Sequence, residues 1–402
     1  MQTFDVRDYG AVANSGRVQT QALQAAIDAC RDAGGGVVEL PAGVFISGSL
    51  RLYSHIELHL AQAAVLRGSQ ALTDYSDFHQ PSPIAYLYEA HYITAWHLPP
   101  NYFHALISAF DAEDVSIVGE PGSVIDGAAV TDPAGEEGFR GPMGIVFNRV
   151  KNVRLTGYTV VNSSNWAHTL AACDGVQVAD VAVFGGHDGF DLHHSQHVTI
   201  QHCHLACGDD CFAGYDVADV LIADCLLNTA CNVTGLSGQH IQLRDCQLVG
   251  PGRYAHLAVG THETHALAKY YALACDANRP AASDLAYANL QLRNLARLIM
   301  YRRGDADLLQ DGAALDALSL TDVVVDGLAE ASVVEGRGQR VALTLTQCRI
   351  TPPQAAPLLV IDDAVDLTIS QTVFTKPTVI ETTAKQRWTF MGLTNFSRNV
   401  LA

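Results

Sequence analysis

Charge is scarce in this sequence, and basic charge scarcest: 16% of the 402 residues are charged, with 24 Lys and Arg against 42 Asp and Glu, giving a net charge of −18. No basic run or stripe is present, which removes the cationic surface that phosphate backbones require and excludes nucleic acid as a partner. Long apolar runs are missing too. No segment reaches the roughly 18 consecutive apolar residues of a membrane span, so no membrane partner is expected. The opening Met-Gln-Thr-Phe-Asp-Val lacks the basic start and apolar stretch of a secretory signal, and a cytoplasmic location is the expectation. The ten cysteines are thinly spread through apolar segments and do not form the dense framework of a small secreted domain, so free thiols are expected. With 49% hydrophobic residues, the chain is folded around a large core.

What is present is a repeat. Segments beginning at Asn152 (NVRLTGYTVVNS), Gly175 (GVQVADVAVFGG), His197 (HVTIQHCHLACG), Asp219 (DVLIADCLLNTA) and His240 (HIQLRDCQLVGP) share one apolar pattern, with starts 23, 22, 22 and 21 residues apart. Each alternates apolar and polar residues twice around a short turn, which predicts two brief strands per coil of a solenoid. A related unit starts at Asp114, and weaker echoes start at Leu285, Leu318, Leu343 and Leu367. Stacked coils place equivalent residues about 4.8 Å apart. Cys203, Cys225 and Cys246 hold one position in three successive units and are expected to form a buried ladder. A metal site built from Cys207, Cys211 and Cys231 with His202 and His204 is disfavoured, because alternation along a strand sends such ligands to opposite faces.

These features predict a single all-β domain over residues 1–402, a right-handed parallel β-helix. Residues 20–34 (TQALQAAIDACRDAG) would form an N-terminal cap helix with Ala22, Leu23, Ala26, Ile27 and Cys30 on its inner face, stopped by Gly34-Gly35-Gly36. Residues 75–101, rich in aromatics and histidine, interrupt the repeat as an insertion suited to walling a groove. Central coils occupy 114–270, and C-terminal coils with an end cap occupy 285–402.

Carboxylates cluster between Gly185 and Asp216. Asp188 precedes Asp209 by 21 residues and Asp210 by 22, one coil, so the repeat predicts that the three meet. Gly208 offers the bend that would let Asp209 and Asp210 face the same groove. Mutual repulsion should leave one carboxyl protonated at higher pH than the others, splitting acid from base as glycoside hydrolysis needs. No metal or organic cofactor is required. Aspartates that merely cap coil corners are the structural alternative.

The chain resembles glycoside hydrolase family 28, the polygalacturonase and rhamnogalacturonan hydrolase-like family. The resemblance runs through FDVRDYGAV, QALQAAIDAC, GGGVVELPAGVF, VSIVGEPGSVIDG and RGPMGIVFNRVKNVRLTGYTVVNSSNWAHTL, and is sharpest at Gly208-Asp209-Asp210-Cys211. Gly186-His187-Asp188-Gly189 stands where the family has Asn-Thr-Asp-Gly. The resemblance implies that Asp209 is the general acid and that Asp188 and Asp210 hold and deprotonate water, with inversion at the anomeric carbon. The family's Gly-His-Gly is replaced by Ala230-Cys231-Asn232-Val233-Thr234, and its Arg-Ile-Lys has no counterpart, the nearest segment being Gly235-Leu236-Ser237-Gly238. Candidate substrate contacts are His187, Trp166, the pair Arg253 and His256, and the pair Arg302 and Arg303. The expected substrate is an oligosaccharide or small glycoside, pectin-derived fragments among them, cleaved by exo-type action. A β-helix polysaccharide lyase, with Ca²⁺ on the three aspartates, and a non-catalytic carbohydrate-binding β-helix remain alternatives.

Overall fold

In the computed structural model the described residues are 2–100, 102–276, 283–382, 388–392 and 394–396. The chain divides after Leu205 into two compact units. The sequence repeat gives no break at that point, because the apolar pattern runs on unchanged.

In the first unit the alternating segments become parallel strands stacked in register. Lys151–Thr156 pairs with Asp174–Ala179, which pairs with Gln196–Gln201, so Val153, Val176 and Val198 fall in line. A second stack joins Thr159–Val161 to Ala182–Gly185. A third, which the sequence pattern does not announce, runs through Leu50–Leu52, Ala105–Phe110, Met143–Asn148, His168–Ala171 and Phe190–His193. Each coil therefore has three strands, where alternation predicted two. The reason is burial. Met143–Asn148, His168–Ala171 and Phe190–His193 are buried at every position, so they carry no period-2 signal.

The cap helix forms over Thr20–Asp32 and buries Leu23, Ala26, Ile27 and Cys30, while Ala22 stays half-exposed. Gly35 ends it: its N–H returns to the Cys30 carbonyl at 2.9 Å, and its φ of 111° suits only glycine. Residues 75–100 interrupt the winding as expected and contain a short helix, Ala90–Trp96.

In the second unit the predicted echoes pair directly. Ile241 lies opposite Leu285, Leu285 opposite Leu318, Leu318 opposite Leu343, and Leu343 opposite Leu367. The spacing is 44, 33, 25 and 24 residues, so insertions stretch the coils while the register survives. Both units are parallel β-helix coils around an apolar interior. All ten cysteines are free thiols, and all but Cys275 are buried. Cys225 and Cys246 stack as expected, with the Cys225 N–H directed at Cys246 Sγ at 3.3 Å. The expected C-terminal cap falls partly on residues outside those described.

Candidate active site

The first unit places Asp188 in the corner between Ala182–Gly185 and Phe190–His193. Packing fixes this corner from beneath. His168, neutral because burial pushes its pKa down to about 4, contacts the Gly189 carbonyl through Nδ1 at 3.1 Å and stacks on Phe190 at 4.3 Å. The Asp188 carbonyl accepts from the Ala167 N–H at 3.0 Å. The Asp188 carboxylate is itself buried, with Arg140 Nη1 3.6 Å away. That attraction offsets part of the cost of burying the charge. Arg140 belongs to RGPM, but nothing in the sequence connects it to Asp188, 48 positions later.

Arg140 also lines a cavity of about 470 Å³ with Pro99, Pro100, Tyr102, His104 and Asn165. The 75–100 insertion and the residues just after it thus help to wall a cavity that reaches the guanidinium beside Asp188. His187 is buried against Phe139, ring centroids 6.0 Å apart. Trp166 requires a correction. It is 8% exposed and packed between Tyr102 and His193, each 5.5 Å away, so its ring is a packing element and presents no open face to a sugar.

In the second unit, residues 208–211 form the predicted bend ahead of Phe212–Ala223. The next coil holds it there. Thr229 Oγ1 donates to the Asp209 carbonyl, and the Cys211 N–H donates to the Asn232 carbonyl at 3.1 Å. Asp210 Oδ1 accepts the Asn232 backbone N–H at 2.9 Å and its side-chain amide at 2.8 Å. Gly235 lies against the other oxygen, where any Cβ would collide with Asp210 Oδ2. The segment that lacks the family's basic residues therefore has its own task, which is to seat Asp210.

Burial pushes the Asp210 carboxyl up to about 6, the neighbouring Asp209 charge pushes the same way, and Lys269 opposes both. Asp209 is the more open of the two, and His256 Nε2 lies 3.5 Å from its Oδ1.

The basic candidates separate clearly. His256 reaches the aspartates. Arg253 is exposed, its guanidinium over Tyr254 and its N–H on Asn228. Arg302 is taken up by Glu335 at 3.3 Å, and Arg303 is exposed with its N–H on the Glu335 carbonyl. These three arginines have partners on adjoining coils or beside them in sequence, and none of these contacts is with the aspartates. The cation that does reach Asp210 is Lys269, within electrostatic range and beside Tyr271. It escapes sequence reading because the 250–265 loop lengthens its coil: Asn232 pairs with Ala266, 34 residues on, where a 22-residue period looks for it near Tyr254. The short apolar run Ala266-Leu267-Ala268, bounded by His265 and Lys269, was the available signal.

The metal set weighed from sequence does not assemble. Cys207 and Cys211 are fully buried, and Cys211 Sγ is directed at the Asn228 carbonyl at 3.7 Å.

Residues 98–232 match the model of glycosyl hydrolases family 28. An exo-poly-alpha-D-galacturonosidase of Dickeya chrysanthemi is 41% identical over 76 residues, 19% of this chain and 12% of that protein. A probable polygalacturonase of Vitis vinifera is 25% identical over 218 residues, 51% of this chain and 43% of the relative. The matched region thus spans less than half the length of either. The structure of a family 28 exopolygalacturonase from Yersinia enterocolitica superposes with a TM-score of 0.66 at 19% identity, covering 99% of this chain and 78% of that one. This last likeness is one of fold.

Proposed function

Given that the chain belongs to glycoside hydrolase family 28, the polygalacturonase family, we propose that it hydrolyses short galacturonide chains from one end by single displacement with inversion. The observation that carries this reading is the Asp209–Asp210 pair, one partner buried and raised, the other more accessible. In the proposed mechanism Asp209 donates the proton to the departing glycosidic oxygen. Asp210, fixed by Asn232, holds the attacking water and takes its proton. Inversion follows because water attacks the face opposite the leaving group.

Asp210 sets the pH dependence, because it can take a proton from water only when ionised and burial raises its carboxyl to about 6. Accordingly kcat/KM should rise about tenfold per pH unit up to about that value and level off above it. A flat profile from pH 5 to 8 would contradict the assignment.

Lys269 supports a uronate substrate, since an ammonium beside the catalytic carboxylates can pair with a sugar carboxylate. Lys269→Met should raise KM for galacturonides by about 10- to 100-fold, the worth of a charged hydrogen bond, and leave neutral galactosides unaffected. The likeness to an exo-poly-alpha-D-galacturonosidase supports exo-type action. The deciding experiment is hydrolysis of tri- and tetragalacturonide followed by NMR from the first turnover. Monomer alone, released as the inverted anomer, is the expected product; mixed oligomers would overturn the exo reading, and a retained anomer the mechanism.

A further inference from the structure

The replacement of a histidine motif by Ala230-Cys231-Asn232 puts a thiol next to the open catalytic carboxylate, and the chemistry of that juxtaposition differs from glycoside hydrolysis. One carboxylate oxygen of Asp209, Cys231 Sγ and one imidazole nitrogen of His256 all lie within 4.8 Å of one another. The Asp209–His256 separation is 3.5 Å. Two ligands on a tetrahedral zinc, at about 2.0–2.3 Å from the metal, stand about 3.3–3.8 Å apart, so small rotations of these side chains close the set. His265 Nδ1 lies 3.9 Å from the same thiol and provides a further nitrogen at its flank. Cys231 is 9% exposed, and the Asp209 and His256 side chains 16% and 13%, so the set is sheltered yet reachable.

We propose that Asp209, Cys231 and His256 form a binding site for a soft divalent cation, Zn²⁺ in particular, and that its occupancy switches hydrolysis off. Thiolate, imidazole and carboxylate together suit zinc far better than Mg²⁺ or Ca²⁺, which take oxygen ligands. The Asp209 and Asp210 carboxylates near the thiol are a source of affinity for a dication. Binding breaks the Cys231 S–H bond, forms the S–Zn bond and releases one proton, so affinity rises with pH. Once Asp209 is a ligand it holds no proton and cannot act as the acid. The binding half of this proposal stands on the second unit alone; the switching half rests on the hydrolase reading above.

The test is calorimetric titration of ZnCl₂ into metal-free protein, alongside the galacturonide assay. The expected result is one equivalent bound with proton release, sulfur-to-metal charge-transfer absorbance when Co²⁺ is used instead, and loss of turnover that tracks zinc occupancy and returns with chelator. Cys231→Ser and, separately, His256→Gln should each weaken zinc by more than the roughly 10- to 100-fold typical of losing an outer-shell partner. Absence of stoichiometric binding, or affinity in both variants equal to that of the unsubstituted protein, overturns the site. Zinc bound with turnover unchanged overturns the switch. Zinc bound to a protein that has no turnover in metal-free buffer overturns the hydrolase reading and with it the switch, and leaves the site standing.

Discussion

Asp209→Asn is expected to lower turnover of galacturonides by about 10²- to 10⁴-fold while leaving substrate binding intact. The substitution is nearly isosteric and removes the donated proton. It also keeps an acceptor in the position where Oδ1 receives the Asp210 N–H at 3.1 Å. The backbone of the bend is held independently by Thr229 and by Asn232, so the corner should keep its shape. A leaving-group series isolates the lost step. A 4-nitrophenyl galacturonide departs as a stable anion without needing a proton, and its hydrolysis should be reduced far less than that of the digalacturonide. Equal losses on both substrates would remove Asp209 from the role of acid.

Asp210→Asn should show opposite signs in activity and stability. Turnover is expected to fall by a similar 10²- to 10⁴-fold, since a base for water is gone. Stability at neutral pH should rise. In the unfolded chain this carboxyl ionises near the ordinary value of about 4, and in the folded chain near 6, because burial opposes the charge. Between those values the folded state binds more protons than the unfolded state. Stability therefore declines as pH rises through the window, and the full deficit persists above it. Two pH units correspond to at most about 3 kcal/mol, so a gain of about 1–3 kcal/mol at pH 7.5, shrinking to nothing below about pH 4, is the expected outcome. The asparagine oxygen can still accept both Asn232 donors. Thermal unfolding of the two proteins across pH 4 to 8 checks this directly, and a variant less stable than wild type at pH 7.5 would refute it. The residue is thereby assigned to function at the expense of stability.

A site that keeps one carboxyl open for proton delivery and sets a thiol beside it is open to soft cations, and Asn232 and Cys231, adjacent in sequence, divide the work of seating Asp210 and flanking Asp209.

By itself the sequence determined the coil fold, the positions of the aspartates and the bend at Gly208, because strand alternation and a 22-residue period are local patterns written in apolar side chains. The in-register echoes at Leu285, Leu318, Leu343 and Leu367 were legible for the same reason. Tertiary structure alone decided which cations stand beside the aspartates of each unit. Arg140 comes to Asp188 within the first unit, and His256 and Lys269 to Asp209 and Asp210 within the second, across loops of irregular length, so no fixed spacing encodes them, while Arg253, Arg302 and Arg303, conspicuous in sequence, have partners on adjoining coils. It also decided the third strand of each coil and the fate of Trp166, since a segment covered on both faces has no polar side from which its burial could be read.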